Sequence, residues 1–270
     1  MRLSEVGELG LLAELERRGL ARNIENDAAD LGDGRIVTQD ALVEDVHFRR
    51  DWISWRDLGF RAAAVNLSDL AASGAEADGL IVSLGVPGQT ELDDVLELYE
   101  GMAETGVPVV GGDTTSAERI YLSVTALGRS DRVPGRDGAK PGDLLIVTGP
   151  LGAAGAAFRE NRFVRPPVRL EEGRSLASTA HAMLDISDGL ERDLARIAER
   201  SRVRCLVELE RVPLADGATI DDLGFGEDYE LLAAVPTEAF HVIGRCEPGE
   251  GAELLRDGVA VALGGWEHFA

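Results

Sequence analysis

The chain has 270 residues, 44% of them hydrophobic, and a formal net charge of −22. That charge argues against nucleic acid or an anionic membrane as a partner, and no run of about 18 apolar residues offers a bilayer span. Of the 27 basic residues only Lys140 is a lysine, so an anionic substrate must be met by arginine, by backbone N–H groups or by metal ions.

Residues 1–20 read as an amphipathic helix, and no basic stretch precedes a long apolar run, so no signal peptide is expected. GRIVTQDALVEDVHF, 34–48, alternates in part and reads as strand. Residues 54–74 form an alanine-rich helical pattern ending near Gly74. GLIVSLGVP reads as a buried strand, 91–106 as a helix, VPVVGGDTTS as a strand running into a glycine turn, and RIYLSVTALGR as a further strand. RVPGRDGAKPGD, 132–143, has no apolar periodicity and reads as a linker. A second half follows: strand LLIVTG, a glycine-rich turn, helix LGAAGAAFRE, and then MLDISDGLERDLARIAERS at 183–201, where a strand end turns into a helix carrying Leu190, Leu194 and Ile197. Strands are expected near 203–209 and 230–235. This alternation predicts an α/β or α+β protein divided at 1–130 and 131–270. Cys205 and Cys246 lack metal-site spacing. They read as core thiols in a reducing cytoplasm, with a disulfide between them left open.

Acids recur where an apolar segment ends. Asp185 closes an apolar run, a position where a carboxylate needs a partner or a cation. Asp188 with Glu191 has the spacing of a helix capping box, so Asp188 is either a cap or a ligand. Asn66, Asp69 and Ser73 fall on one face of a helix otherwise made of Ala, Leu and Val. Asp27 lies in a short polar turn, Asp40 inside a strand-like segment, and Asp113 after two glycines; Asp27 or Asp113 taken singly reads as an ordinary turn residue. Together, such acids would repel one another if close, and divalent cations would resolve the repulsion. Carboxylates without His or Cys suit Mg²⁺, Mn²⁺ or Ca²⁺. Magnesium on carboxylates points to phosphate chemistry. GRDGAKPGD, however, lacks the ending of a phosphate-binding P-loop, and no other kinase signature is present.

The segments NDAAD, TQDALVEDVHF, AVNLSDLAASGA, VVGGDTT, RDGAKPGD, LDISDGLERDL, GEDYELL and GWEHF occur in the order seen in thiamine-monophosphate kinases. The sequence resembles that family, within the superfamily of aminoimidazole-ribonucleotide synthetase and selenophosphate synthetase. The resemblance implies transfer of the γ-phosphate of ATP to thiamine monophosphate by Mg²⁺-assisted direct phosphoryl transfer. It also implies a homodimer whose N-terminal sheets pair into a barrel, and a C-terminal α/β domain completing a cleft for ATP and several Mg²⁺ ions.

By motif, the resemblance assigns Asp27, Asp40, Asp69, Asp113, Asp185 and Asp188 to metal, with Thr38 and Gln39 contributing. Tyr99, Gly112, Asp113, Arg136 and Ser187 would contact ATP, and His47, Asp69, Glu227 and Trp266 the thiamine phosphate. Asp40, Asp69 and Asp188 would carry catalysis. His47 reads as a hydrogen-bonding residue, since no second His pairs with it; Trp266 reads equally as a stacking ring or as a packed C-terminal aromatic. The chain departs from the family in Glu25 and Asn26, in Gln39 where Thr or Ser is usual, and in trims near 102–108 and before GEDYELL. Another ATP-using enzyme of the superfamily, or a non-catalytic nucleotide- or metal-binding relative, would share most of these segments.

Overall fold

The computed structural model describes residues 2–22, 24 and 26–266; Glu25 of ENDAAD and the last three residues of GWEHF lie outside the described residues. Helix α1 (Leu3–Arg17) is interrupted at Gly7, whose backbone is not helical. The first unit then runs β1 (Ala29–Asp30), β2 (Arg35–Val43), α2 (Trp55–Ala72), β3 (Glu76–Val86), α3 (Leu92–Ala103), β4 (Val109–Ser116) and β5 (Tyr121–Arg129). Its sheet has the order β1-β2-β5-β3-β4, antiparallel except for the β3–β4 pair.

The second unit comprises β6 (Leu144–Val147), α4 (Ala153–Arg159), α5 (Leu170–Ala177), β7 (Ala182–Asp185), α6 (Leu190–Ser201), β8 (Arg204–Glu208), β9 (Leu231–Val235), β10 (His241–Glu247), β11 (Gly251–Arg256) and β12 (Val259–Val261). They build a seven-stranded sheet of order β12-β11-β8-β10-β6-β9-β7. The fold is thus a mixed α/β structure with two sheets. No described helix is long and apolar enough to cross a membrane.

The alternation seen in the sequence sorts the first sheet into two faces. Leu80, Val82 and Leu84 of β3 and Leu122, Val124 and Ala126 of β5 are buried against α2. The opposite face carries Gln39, Ile81, Ser83, Tyr121, Thr125 and Asp113, brought into line by the pairings Gln39↔Thr125, Ile81↔Thr125 and Ser83↔Asp113. On that face Ile81 and Tyr121 are exposed, as is Val110 on the edge strand β4. Helix α2 is alanine-rich because it packs on nearly every side, against the sheet, α3, α5 and β7. That last contact joins the two units.

The segment VPVVGGDTTS differs from its expected form. The strand does not end at the glycines but continues through Gly111 and Gly112 to Ser116, paired parallel with β3. Gly112 has φ +152° and lies so close to the Val82 carbonyl that a Cβ would not fit, so the glycine serves strand approach and not a turn. Helix α5 and strands β10 to β12 were not foreseen. They are short, and their apolar residues follow no full period.

Candidate active site

The acids at the ends of β-strands do converge. Strand β2 turns Thr38 and Asp40 toward α2, which presents Asn66, Ser68 and Asp69, and β7 ends at Asp185. Asp27, Asp69 and Asp185 each place a carboxylate oxygen within 4.8 Å of the others. The Thr38 hydroxyl donates to Asp69 at 2.5 Å, and the Ser68 hydroxyl donates to Asp185 at 2.5 Å. Asn66 accepts the Asp40 N–H at 2.9 Å and donates to the Ala62 carbonyl at 2.9 Å, which locks β2 onto α2 beside the cluster. Burial pushes the Asp69 carboxyl well above the usual carboxylate range, and the neighbouring charges of Asp40, Asp185 and Asp27 push it further. Asp185 is raised in the same way, by burial first and then by Asp27. The Arg136 guanidinium pairs with Asp27.

The DISDG turn corrects the capping-box reading of Asp188 and Glu191. The residue before α6 is Gly189, and no side chain caps from that position. Asp193, fully buried in the first turn, reaches back and accepts the N–H groups of Ser187 at 3.1 Å and Asp188 at 3.0 Å. Glu191 instead accepts the N–H groups of Leu263 and Gly264. Burial raises the Asp193 carboxyl to about 7 against the pull of Arg196. The Asp188 carboxylate turns outward to Arg196, which also binds Asp193 at 2.6 Å.

GEDYELL interlocks with that turn. Glu227 N–H donates to the Ser187 carbonyl, Tyr229 N–H to the Ile186 carbonyl, and Ile186 N–H to the Glu230 carbonyl, at 2.8–2.9 Å. Gly226 is required here: its φ is +83°, and a Cβ would collide with the Ser187 carbonyl. Asp228 accepts the Gly152 N–H at 2.8 Å at the start of α4, and burial raises its carboxyl to about 7. Glu230 is buried in a bidentate pair with Arg169 and accepts the Thr148 hydroxyl.

Glu227 points across the junction of the two units to Arg61 of α2, whose guanidinium also donates to the His47 carbonyl at 2.6 Å. Arg61 is 4% exposed, and its Nε has no hydrogen-bond partner. His47 Nδ1 accepts the Val43 N–H at 3.1 Å. The Trp266 backbone N–H donates to the Asp188 carbonyl at 3.0 Å, and the residue is half exposed. These residues line one cleft of about 1220 Å³ between the units, together with Asp27, Thr38, Asp40, Asp69, Arg136, Asp185, Ser187 and Asp188. That volume exceeds a single drug-sized pocket.

Four of the expected site residues are placed apart from the acid cluster. Gln39 borders the cleft, but its amide is engaged by Ser123 and Thr125 on the opposite face of the sheet. Gly112 and Asp113 sit on the exposed edge strand β4, three strands from β2, or about 14 Å at the usual strand spacing. Tyr99 hydrogen-bonds Thr114 beside them. Sequence reasoning missed Ser68, Arg61, Asp193 and Arg196. Arg61 had a visible signal, a lone cation inside the apolar stretch GFRAAAV. Asp193 had none beyond its place among other acids.

The family of AIR synthase related proteins matches this chain in both parts, its N-terminal domain over residues 25–130 and its C-terminal domain over 140–254. The chain with its two sheets and acid-lined cleft is thus a member of the class of AIR synthase related proteins. Within it, the thiamine-monophosphate kinase of Aquifex aeolicus is 32% identical over the whole of both chains. That of Mycobacterium tuberculosis is 36% identical over 90% of this chain and 84% of its own. The solved structure of AaThiL complexed with AMPPCP and TMP matches with a TM-score of 0.90 at 33% identity, covering 99% of each chain. The chain belongs to the thiamine-monophosphate kinase family.

Proposed function

We propose that the protein transfers the γ-phosphoryl group of ATP to thiamine monophosphate, releasing ADP and thiamine diphosphate. The observation that carries this reading is the end-to-end match to the AaThiL complex, whose ligands are an ATP analogue and TMP. An oxygen of the acceptor phosphate attacks the γ-phosphorus, and the bond to the β,γ-bridging oxygen breaks. No covalent enzyme intermediate is needed, so the chain's tasks are positioning and charge neutralisation.

The acid cluster fits magnesium. Its donors are hard oxygens, and Asp185 is buried and Asp69 half-buried, where an uncompensated charge is costly. Asp27, Thr38, Asp40, Asp69, Asp185 and Asp188 would hold Mg²⁺, which supplies positive charge between two sets of phosphates in a chain with a single lysine. Asp40, Asp69 and Asp188 stand closest to catalysis in this reading. Arg136 and Ser187 take ATP phosphates, and His47, Asp69, Glu227 and Trp266 take the thiamine phosphate.

Tyr99, Gly112 and Asp113 would join the site through a second copy, while Gln39 borders the cleft with its amide turned to the opposite face. A homodimer is supported by the open face and unpaired β4 edge of the first sheet, where Ile81, Tyr121 and Val110 are exposed. Two such faces closing on each other would form a barrel. Residues 1–130 would then bind ATP and metal and dimerise, while 131–270 complete the cleft. Two unbridged cysteines agree with a cytoplasmic location.

The deciding experiment incubates the purified chain with ATP, MgCl₂ and thiamine monophosphate. Thiamine diphosphate and ADP should appear in equal amounts. ADP release without thiamine diphosphate would point to another ATP-using enzyme of the class.

A further inference from the structure

We propose that Trp52, Phe158 and Phe225 form the surface that receives the ring system of thiamine monophosphate. The proposal rests on the kinase reading and names residues of that site which the motifs do not assign.

The three rings come from three places in the chain. Trp52 follows β2, Phe158 lies on α4, and Phe225 immediately precedes the Gly226–Glu227 turn. Phe158 meets Trp52 edge-to-face, with centroids 5.6 Å apart and planes at 75°, and meets Phe225 at 4.8 Å and 36°. All three line the cleft, so the cluster bridges the two units within it. Phe158 nevertheless remains 51% exposed. A lone exposed phenylalanine is unremarkable. One held between two other rings inside a concave site is a surface awaiting a planar ligand.

Charge selects the ligand. The Arg49 guanidinium lies 4.6 Å from the Trp52 centroid, so this ring face already accommodates a flat cation. Glu227 follows Phe225 by two residues and lines the same cleft, its carboxylate paired with Arg61. Thiamine offers a cationic thiazolium and an aromatic pyrimidine, which gain from ring faces and a nearby acid together. Adenine is neutral and gains only from stacking.

Order along the cleft agrees. Tyr229 is half-buried and lines the cleft with Glu227, Arg61, Asp40 and Asp185, so the Glu227–Arg61 pair borders the acid cluster. Rings resting on Phe158 leave the phosphate directed past Glu227 toward those acids. The residues expected to meet ATP from β4 lie on the far side of the first sheet.

The test measures binding of thiamine monophosphate and of AMPPCP by calorimetry, and the KM for each substrate, in the wild type and in Phe158→Ala, Phe158→Tyr and Trp52→Leu. Loss of one stacked ring should weaken thiamine monophosphate binding about tenfold or more and raise its KM in parallel. AMPPCP affinity and the KM for ATP should stay within about twofold, Phe158→Tyr should restore binding, and the Phe158 variants should melt near the wild type because the ring is half exposed. Unchanged thiamine monophosphate affinity in Phe158→Ala, or a loss confined to AMPPCP, overturns the proposal while leaving an active kinase. A wild type that neither binds nor phosphorylates thiamine monophosphate overturns the kinase reading and this proposal with it.

Discussion

The backbone N–H of Asp188 lies 3.0 Å from the Asp193 carboxylate, so the start of α6 is capped from within by a buried acid and not by Asp188 itself. The Asp188 side chain is thereby released to face the cleft, restrained by a part-exposed pair with Arg196. Asp188→Asn should cost under about 1 kcal/mol and reduce turnover by orders of magnitude, as expected for loss of a hard-cation ligand. Asp193→Asn should do the reverse in part, costing about 3 kcal/mol because it removes the buried one of Arg196's two carboxylate partners and weakens the cap. Thermal melts alongside turnover separate the two. A stable Asp188→Asn with near-normal turnover would return Asp188 to the capping role, since Asn caps about as well as Asp.

Burial first, and then the charges of neighbouring acids, raise the Asp69 and Asp185 carboxyls in the folded chain well above the usual carboxylate range. Between the unfolded and folded pKa values the folded chain therefore binds more protons than the unfolded one. Stability is fully favoured below about 4 and is lost as pH rises through the folded values. In EDTA the melting temperature should fall from acid toward neutral pH wherever other groups do not mask it. Asp69→Asn should flatten that slope and raise the metal-free midpoint at pH 7. A lower midpoint in Asp69→Asn would mark the cluster as structural.

Gly226→Ala tests the interlock of GEDYELL with the DISDG turn. The added methyl meets the Ser187 carbonyl, at a backbone conformation that side chains disfavour. The cost should be about 2 kcal/mol or more, visible as a lower denaturant midpoint. An unchanged midpoint would mean the two loops separate freely.

Val110→Lys tests the second copy. This residue is 59% exposed on the β4 edge, where a charge blocks strand or face pairing. Light scattering should show half the mass of the wild type, with ATP affinity reduced because Asp113 lies on the same strand. A variant that keeps both mass and affinity would place the interface elsewhere.

Helices α2 and α3 and strands β2, β3 and β5 were legible because the strands have a clean period and a buried face, as with Leu80, Val82 and Leu84, whereas the full length of β4, an exposed edge strand, was not. So was the gathering of acids, since Asp69 and Asp185 sit where only a shared site explains a carboxylate. Arg61 and Ser68 stayed hidden because their partners, Glu227 and Asp185, lie 166 and 117 residues away. No local pattern reports a bond that the packing of two units creates. The aromatic cluster was invisible for the same reason, its rings being scattered over positions 52, 158 and 225.

Because residues 186–188 and 226–230 share three backbone hydrogen bonds and a glycine contact, they form a single mechanical part made from two distant stretches of chain. A chimera joined to a relative anywhere between α6 and β9 would inherit each half of that part from a different parent. Crossovers in the 132–143 segment leave both halves together, and recombination libraries of this enzyme should recover their functional members there.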